Sequence, residues 1–221
     1  DAMVESTTDV SCNSGSDGSA DISPSGGTGP YTFLWSGAST PYTSTDEDPS
    51  GMPADSYTLL LTDSRGCSQT FNNLLSIGEP APVTLTVDDS TPVSCWGGND
   101  GSAMVTINGG TLNYNVVWTG NLSGHQSFNQ DPLDLVADTY SVDITDGNGC
   151  PYSFPDLLTI IEPAEITVMV DNVTDVDCNG EATGAIEITP AGGNAPLSFD
   201  WTGPNGYSST DEDPTLLEAG V

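Results

Sequence analysis

The feature of this sequence that most constrains its fold is a repeat with a period of 83 residues. The stretch from Ser56 to Cys67 (Ser-Tyr-Thr-Leu-Leu-Leu-Thr-Asp-Ser-Arg-Gly-Cys) returns as Thr139 to Cys150 (Thr-Tyr-Ser-Val-Asp-Ile-Thr-Asp-Gly-Asn-Gly-Cys). Three cysteines and three tryptophans keep the same spacing, namely Cys12, Cys95 and Cys178, and Trp35, Trp118 and Trp201. Self-similarity at a fixed period indicates an array of one structural unit.

The period divides the chain into three units, residues 1–80, 81–163 and 164–221. Both boundaries carry a Glu-Pro pair, Glu79-Pro80 and Glu162-Pro163, and proline stiffens a linker. Aligned on the second unit, the first begins inside its opening strand, and the third ends before its last strands. We therefore expect a segment of a longer repetitive protein whose targeting signals lie elsewhere.

Within the repeated stretch, apolar and polar residues alternate. Tyr140, Val142 and Ile144 are separated by polar residues, which is the two-residue period of a strand with one buried face. An Asp-x-x-Gly turn follows, where glycine accepts a positive φ. About seven short alternating runs occur in each unit, without sustained helical periodicity. The sequence predicts an all-β fold of tandem immunoglobulin-like β-sandwich repeats, with a small closed barrel as the alternative.

One tryptophan occupies the same place on the third predicted strand of each unit. Because tryptophan buries more surface than other residue types, we predict that Trp35, Trp118 and Trp201 anchor the three cores. Stacking of these rings on a ligand is the alternative.

The cysteines predict disulfides. Each of the first two units has two cysteines, and no Cys-x-x-Cys spacing typical of a metal site is present. We expect pairing within the unit, Cys12 with Cys67 and Cys95 with Cys150. If the two cysteine-bearing loops lie at opposite ends of a sandwich, a bond between units, for example from Cys67 to Cys95, is the alternative. Cys178 would find its partner beyond residue 221.

Three blocks of sequence occur in order at fixed spacing in the first two units. In the first they are Val10–Ala20, with the pattern Val-Ser-Cys-x-x-Gly-x-Asp-Gly-Ser-Ala, then Gly26–Trp35 and Tyr57–Cys67. This pattern resembles the SprB-type repeat of Bacteroidetes surface proteins over essentially the whole chain. The third copy departs from it at residues 179–184, where the Asp-Gly-Ser turn is lost. The resemblance implies large, exported, repetitive adhesins, including those of gliding motility, with an immunoglobulin-like unit and no catalytic residues.

The charge of the chain is extreme. Thirty-two acidic residues stand against one basic residue, Arg65, for a net charge of −31. Such a surface repels nucleic acid and anionic membranes, and the apolar runs are too short to span a bilayer. We therefore expect that the chain neither binds nucleic acid nor is embedded in a membrane.

Calcium is the one candidate cofactor, because hard cations bind several oxygen ligands at once. Its candidate ligands are two acidic runs that precede proline and four acids at the junctions. These are Asp46, Glu47 and Asp48; Asp211, Glu212 and Asp213; and Glu79, Asp88, Glu162 and Asp171. A solvated acidic loop without a cation is the alternative.

Catalysis is not expected from this sequence. The single histidine, His125, has no counterpart in the other units, and no Ser-His-Asp set or phosphate-binding loop is present. The sequence predicts an extracellular structural segment of a cell-surface filament or adhesin stalk, with further copies of the repeat as partners. The alternative is a carbohydrate-binding or spacer module of a large secreted enzyme, with surface glycans contacting the turn residue Trp96.

Overall fold

The structure, a computed structural model, describes residues 1–220. Short strands form several small antiparallel sheets, so the predicted all-β fold is confirmed. Val221, the last residue of the predicted third repeat, lies outside the described residues.

The first repeat contains two sheets that share one core. Its strands are β1 (Ala2–Thr8), β2 (Gly18–Pro24), β3 (Thr32–Gly37), β4 (Thr43–Ser44), β5 (Ser50–Met52), β6 (Asp55–Thr62) and β7 (Ser68–Ile77). One sheet has the order β1-β2-β5 and the other the order β4-β3-β6-β7. Two antiparallel sheets of three and four strands around one core form a β-sandwich, and this strand order is compatible with an immunoglobulin-like fold.

The second repeat follows the same order. Its strands are β8 (Thr84–Thr91), β9 (Ser102–Asn108), β10 (Asn115–Gly120), β11 (Gln126–Ser127), β12 (Asp138–Thr145) and β13 (Pro151–Ile160). The sheets are β8-β9, extended by a bridge between Gly101 and Leu135, and β11-β10-β12-β13.

The third repeat has fewer strands among the described residues. They are β14 (Thr167–Thr174), β15 (Gly184–Ala191), β16 (Trp201–Thr202), β17 (Ser208–Ser209) and β18 (Thr215–Leu217), with a 3₁₀ turn at Pro204–Gly206. The sheets are β14-β15-β18 and β16-β17, and residues 1–220 contain no counterparts of β6 and β7 in this repeat.

The first two repeats each have a separate hydrophobic core. Trp35 and Trp118 are completely buried, and their indole Nε1–H groups donate to the backbone oxygens of Asp46 and Gln130, at 3.0 and 3.3 Å. Trp201 makes the matching bond to the backbone oxygen of Asp211 but stays partly exposed, in a repeat whose described residues include no counterparts of β6 and β7.

A buried tyrosine hydroxyl bonds back to the chain before β6 and before β12. Tyr57 Oη donates to Pro53 O at 2.6 Å. Tyr140 Oη donates to Val136 O and also accepts from Val136 N, both at 3.1 Å. A tyrosine at the start of this strand with a backward hydrogen bond is a hallmark of immunoglobulin-like sandwiches, the tyrosine corner.

The strand directions give each repeat two ends. The entry pole holds the chain start, the β2–β3 loop and the β6–β7 turn, joined by Ser25 N–Asp1 O and Ser64 N–Thr28 O bonds of 2.8 and 2.9 Å. The exit pole holds the β1–β2 loop (residues 9–17, the exit loop) and the end of β7, joined by a 2.9 Å bond from Val10 N to Gly78 O. Because antiparallel strands alternate in direction, Cys12 lies at the exit pole and Cys67 at the entry pole.

Candidate functional site: the junction between repeats

The exit loop is held in shape by one aspartate. Asp17 accepts hydrogen bonds from the hydroxyl and the backbone N–H of Ser11, and these bonds lower the pKa of its carboxyl group. In the second repeat Asp100 and Ser94 repeat the arrangement, with the same effect on the pKa of Asp100. The cysteine next to the serine is therefore presented in the same way at both exit poles.

The entry-pole turn is held by another aspartate. Burial acts to raise the pKa of Asp146, but N–H donors from Cys150, Thr111 and Asn148, at 2.9 to 3.0 Å, outweigh burial and lower it. In the first repeat, Asp63 accepts N–H bonds from Cys67, Arg65 and Thr28, and its pKa is lowered chiefly by the bond from Cys67. Each turn thus fixes one cysteine at the entry pole.

The linker between repeats is bound to the exit loop that precedes it. The carboxylate of Glu79 accepts the backbone N–H of Ser14, and Asn13 Nδ2 donates to Pro80 O at 3.1 Å. At the next junction Glu162 accepts the N–H of Gly97 at 2.6 Å. The repeated Glu-Pro pair is visible in the sequence. The structure adds that the glutamate of each pair accepts a backbone N–H group of the exit loop.

A disulfide joins the two poles that meet at the first junction. Cys12 of the first repeat bonds to Cys150 of the second, with a Cα–Cα distance of 5.7 Å, which is ordinary for a disulfide. Beside it, Asn148 Nδ2 donates to Ser11 O at 2.9 Å. The covalent bond and the hydrogen bond hold consecutive repeats end to end.

This pairing corrects the prediction of disulfides within the repeats. The bonds Cys12–Cys67 and Cys95–Cys150 are wrong, because the two cysteines of one repeat lie at opposite poles. The alternative of a bond between units is correct in kind, but its example, the bond from Cys67 to Cys95, is not formed. Among residues 1–220, Cys67, Cys95 and Cys178 are exposed free thiols.

The second junction brings the third repeat onto the same kind of exit loop. Asn194 Nδ2 donates to Ser94 O at 2.9 Å, as Asn148 does to Ser11 O at the first junction. Beside this contact is a cleft of about 490 Å³ whose lining includes Cys95, Trp96 and Leu197. The side chain of Trp96 is 55% exposed here.

The aspartates of the two acidic runs predicted to bind calcium accept hydrogen bonds within their own repeats. Asp48 and Asp213 accept the backbone N–H groups of Ile22 and Ile188, at 3.0 and 2.9 Å. Asp131 of the second repeat, which lacks the acidic run, accepts the N–H of Val105 at 2.9 Å in the same way. Asp46 and Asp211 bond the hydroxyl groups of nearby serines, at 3.0 and 3.2 Å.

A cluster of three or more His, Cys, Asp or Glu side chains suited to a metal ion is not found in residues 1–220. Calcium binding by Asp46, Glu47, Asp48, Asp211, Glu212 and Asp213 stays a prediction. In the described part of the chain, no helix has the length and apolar character needed to cross a bilayer.

Comparison with known families gives one result. The SprB repeat family matches the chain three times, at residues 4–40, 87–123 and 170–206, which together make up just over half of its length. No curated protein matches the chain. The three matches begin one period apart, and each covers the first three strands of a repeat together with the exit loop that carries the junction cysteine. The chain therefore belongs to the SprB repeat family, as its sequence motifs predicted.

Proposed function

We propose that this chain is a structural segment of an exported cell-surface filament or adhesin stalk. SprB repeats suggest a structural repeat of a cell-surface protein. The observation that carries the proposal is the junction, where the Cys12–Cys150 disulfide and the Asn148–Ser11 bond fix one repeat on the next. Disulfides persist in oxidising surroundings, which supports an extracellular location.

The mechanism is spatial. In a linear array each repeat contacts only its neighbours, so the stability of the array is the sum of the repeats and their junctions, and its length grows with each repeat. The net charge of −31 keeps such an array solvated and opposes lateral association at low salt. We propose no catalytic role.

Labelling of intact cells tests this function. An antibody raised against the 221-residue chain is applied to the organism that encodes it, and immunogold particles are located by electron microscopy. We expect label outside the cell, along filaments, and loss of label after brief treatment of intact cells with protease. An antibody to a cytoplasmic protein is the control. Label that appears only after lysis would contradict the proposal.

A second candidate function is carbohydrate binding at the cleft beside Trp96. The supporting observation is the exposed indole above an open cleft at the second junction, since aromatic faces commonly pack on sugar rings. A glycan array gives the test, with Trp96→Ala expected to abolish binding. Phe128→Ala is the matched control, because Phe128 is 66% exposed in the same repeat but does not line the cleft. Equal binding by both variants would exclude this site.

The third alternative, a spacer in a large secreted enzyme, requires a catalytic domain elsewhere in the same reading frame. Sequencing of the complete gene decides this point directly.

A further inference from the structure

The disulfide at the junction creates a second covalent path through the first two repeats. One path from Asp1 to Glu162 follows the entire backbone. The other runs along β1 to Cys12, crosses the sulfur–sulfur bond to Cys150, and continues along β13. The shorter path bypasses a segment whose ends are 138 residues apart in sequence.

The two strands on the shorter path are already extended. β1 runs from the entry pole to the exit pole of its repeat, and β13 does the same in the second repeat. A strand rises about 3.2–3.4 Å per residue, close to the limit of about 3.3–3.6 Å for a fully stretched chain. This path therefore has little slack.

Most residues of both hydrophobic cores lie inside the bypassed segment. It contains strands β2 to β12, and with them the completely buried Trp35 and Trp118. Pairing within the repeats would not have this effect, because the stretch from Cys67 to Cys95, including the linker, would remain on the path.

We propose that the Cys12–Cys150 disulfide is a crosslink that carries tension from one repeat to the next. When tension acts on the two ends of the chain, β1, the disulfide and β13 carry the load, and the residues between the two cysteines do not add to the length. Even when a core opens, the end-to-end distance across these two repeats grows little. This inference rests on the proposed stalk function, for which constant length under tension is the useful property.

Single-molecule force spectroscopy on the full chain, with handles at both termini, tests the inference. We expect the fully stretched chain to be about 480 Å longer after reduction than before it, from 138 residues at roughly 3.5 Å each. Pairing within the repeats would instead release two separate lengths of about 190 Å, because Cys12 and Cys67, like Cys95 and Cys150, are 55 residues apart. Equal lengths with and without reductant would overturn the proposal.

Variants of the same chain provide the controls. Cys150→Ser should reach the long length without reductant, whereas the double variant Cys67→Ser, Cys95→Ser should keep the short length until it is reduced. If Cys150→Ser does not fold, the comparison of oxidised and reduced wild-type chain still decides the question.

The two proposals fail separately. A chain that is displayed on cells but stretches fully without reductant refutes the load path alone. A chain that lengthens by about 480 Å on reduction but is never labelled at the cell surface refutes the stalk function alone.

Discussion

Tyr140→Phe should destabilise the second repeat more than Tyr57→Phe destabilises the first, although the two tyrosines hold equivalent positions. Both rings are completely buried, so the substitution removes a hydroxyl group and little packing. The difference lies four residues earlier, where Val136 has a backbone N–H that donates to Tyr140 Oη at 3.1 Å. The equivalent residue, Pro53, has no N–H.

The magnitudes follow from the groups that lose a partner. Tyr57→Phe removes the hydrogen bond from Tyr57 Oη to Pro53 O, at a cost of about 0.5–1.5 kcal/mol. Tyr140→Phe removes the equivalent bond to Val136 O and also leaves the N–H of Val136 without its partner, which adds about 1–3 kcal/mol. We therefore expect roughly 1 kcal/mol in the first repeat and roughly 2–4 kcal/mol in the second.

Urea titration followed by NMR separates the two repeats, because the indole N–H signals of Trp35 and Trp118 report on different cores. With a slope of about 1 kcal/mol per molar urea, the two variants should shift their midpoints by amounts that differ by about 1 M or more. Equal shifts, or a larger shift for Tyr57→Phe, would refute the reasoning. As a control, Tyr57→Phe should cost more when Pro53 is first replaced by alanine, which restores an N–H at that position.

Four further predictions address the junction, the acidic residues and the third repeat. Cys150→Ser should lower the free energy of unfolding by about 5 kcal/mol, because it removes the disulfide that restricts the unfolded chain. Cys67→Ser should lower it by less than about 0.5 kcal/mol, because Cys67 is a free thiol. Urea unfolding without reductant measures both values, and equal losses would favour pairing within the repeats. Burial raises the pKa of Asp55, but N–H and hydroxyl donors outweigh burial and bring it to about 2. The stability that Asp55 contributes is thus present above its unfolded pKa near 3.9 and lost as the pH falls toward 2. The deficit in Tm of Asp55→Asn should therefore shrink between pH 5 and pH 2, and a constant deficit would contradict this. Glu79→Gln weakens the hydrogen bond between the linker and the exit loop, because the carboxylate acceptor loses its charge. In a reduced chain, the distribution of angles between the first two repeats should therefore widen, as measured by residual dipolar couplings. Unchanged couplings would show that this bond is dispensable. Limited proteolysis should cut within residues 164–220 first, because β14 exposes apolar side chains on both faces; earlier cuts in the first two repeats would contradict this expectation.

Much of the fold was predictable because its signals are local. The alternation of Tyr140, Val142 and Ile144 with polar residues matches the pleat of β12, where all three are completely buried. The position of the buried tryptophan on the third strand was equally visible, since it recurs at one period. The burial of Trp201 depends on strands other than its own, so its own neighbourhood in sequence says little about its exposure.

The site was harder to predict because it depends on which ends of the repeats meet. Cysteine spacing cannot show that Cys12 and Cys67 lie at opposite poles, and the bond to Cys150 follows only from the directions of the strands.

The acidic run at Asp48 was ambiguous for a different reason. An aspartate that accepts a backbone N–H group cannot be told apart in the sequence from an aspartate that binds a cation, because both uses need the same oxygen lone pairs.

The opposite positions of the two cysteines in one repeat also affect the order in which the chain becomes oxidised. When a chain of this kind emerges N-terminus first into an oxidising compartment, Cys67 appears before Cys150, so the wrong partner is available to Cys12 first. Folding of the first repeat moves Cys12 and Cys67 to its two ends and keeps them from reacting with each other. Correct oxidation therefore depends on folding that is faster than thiol chemistry, or on an isomerase that reverses the early error.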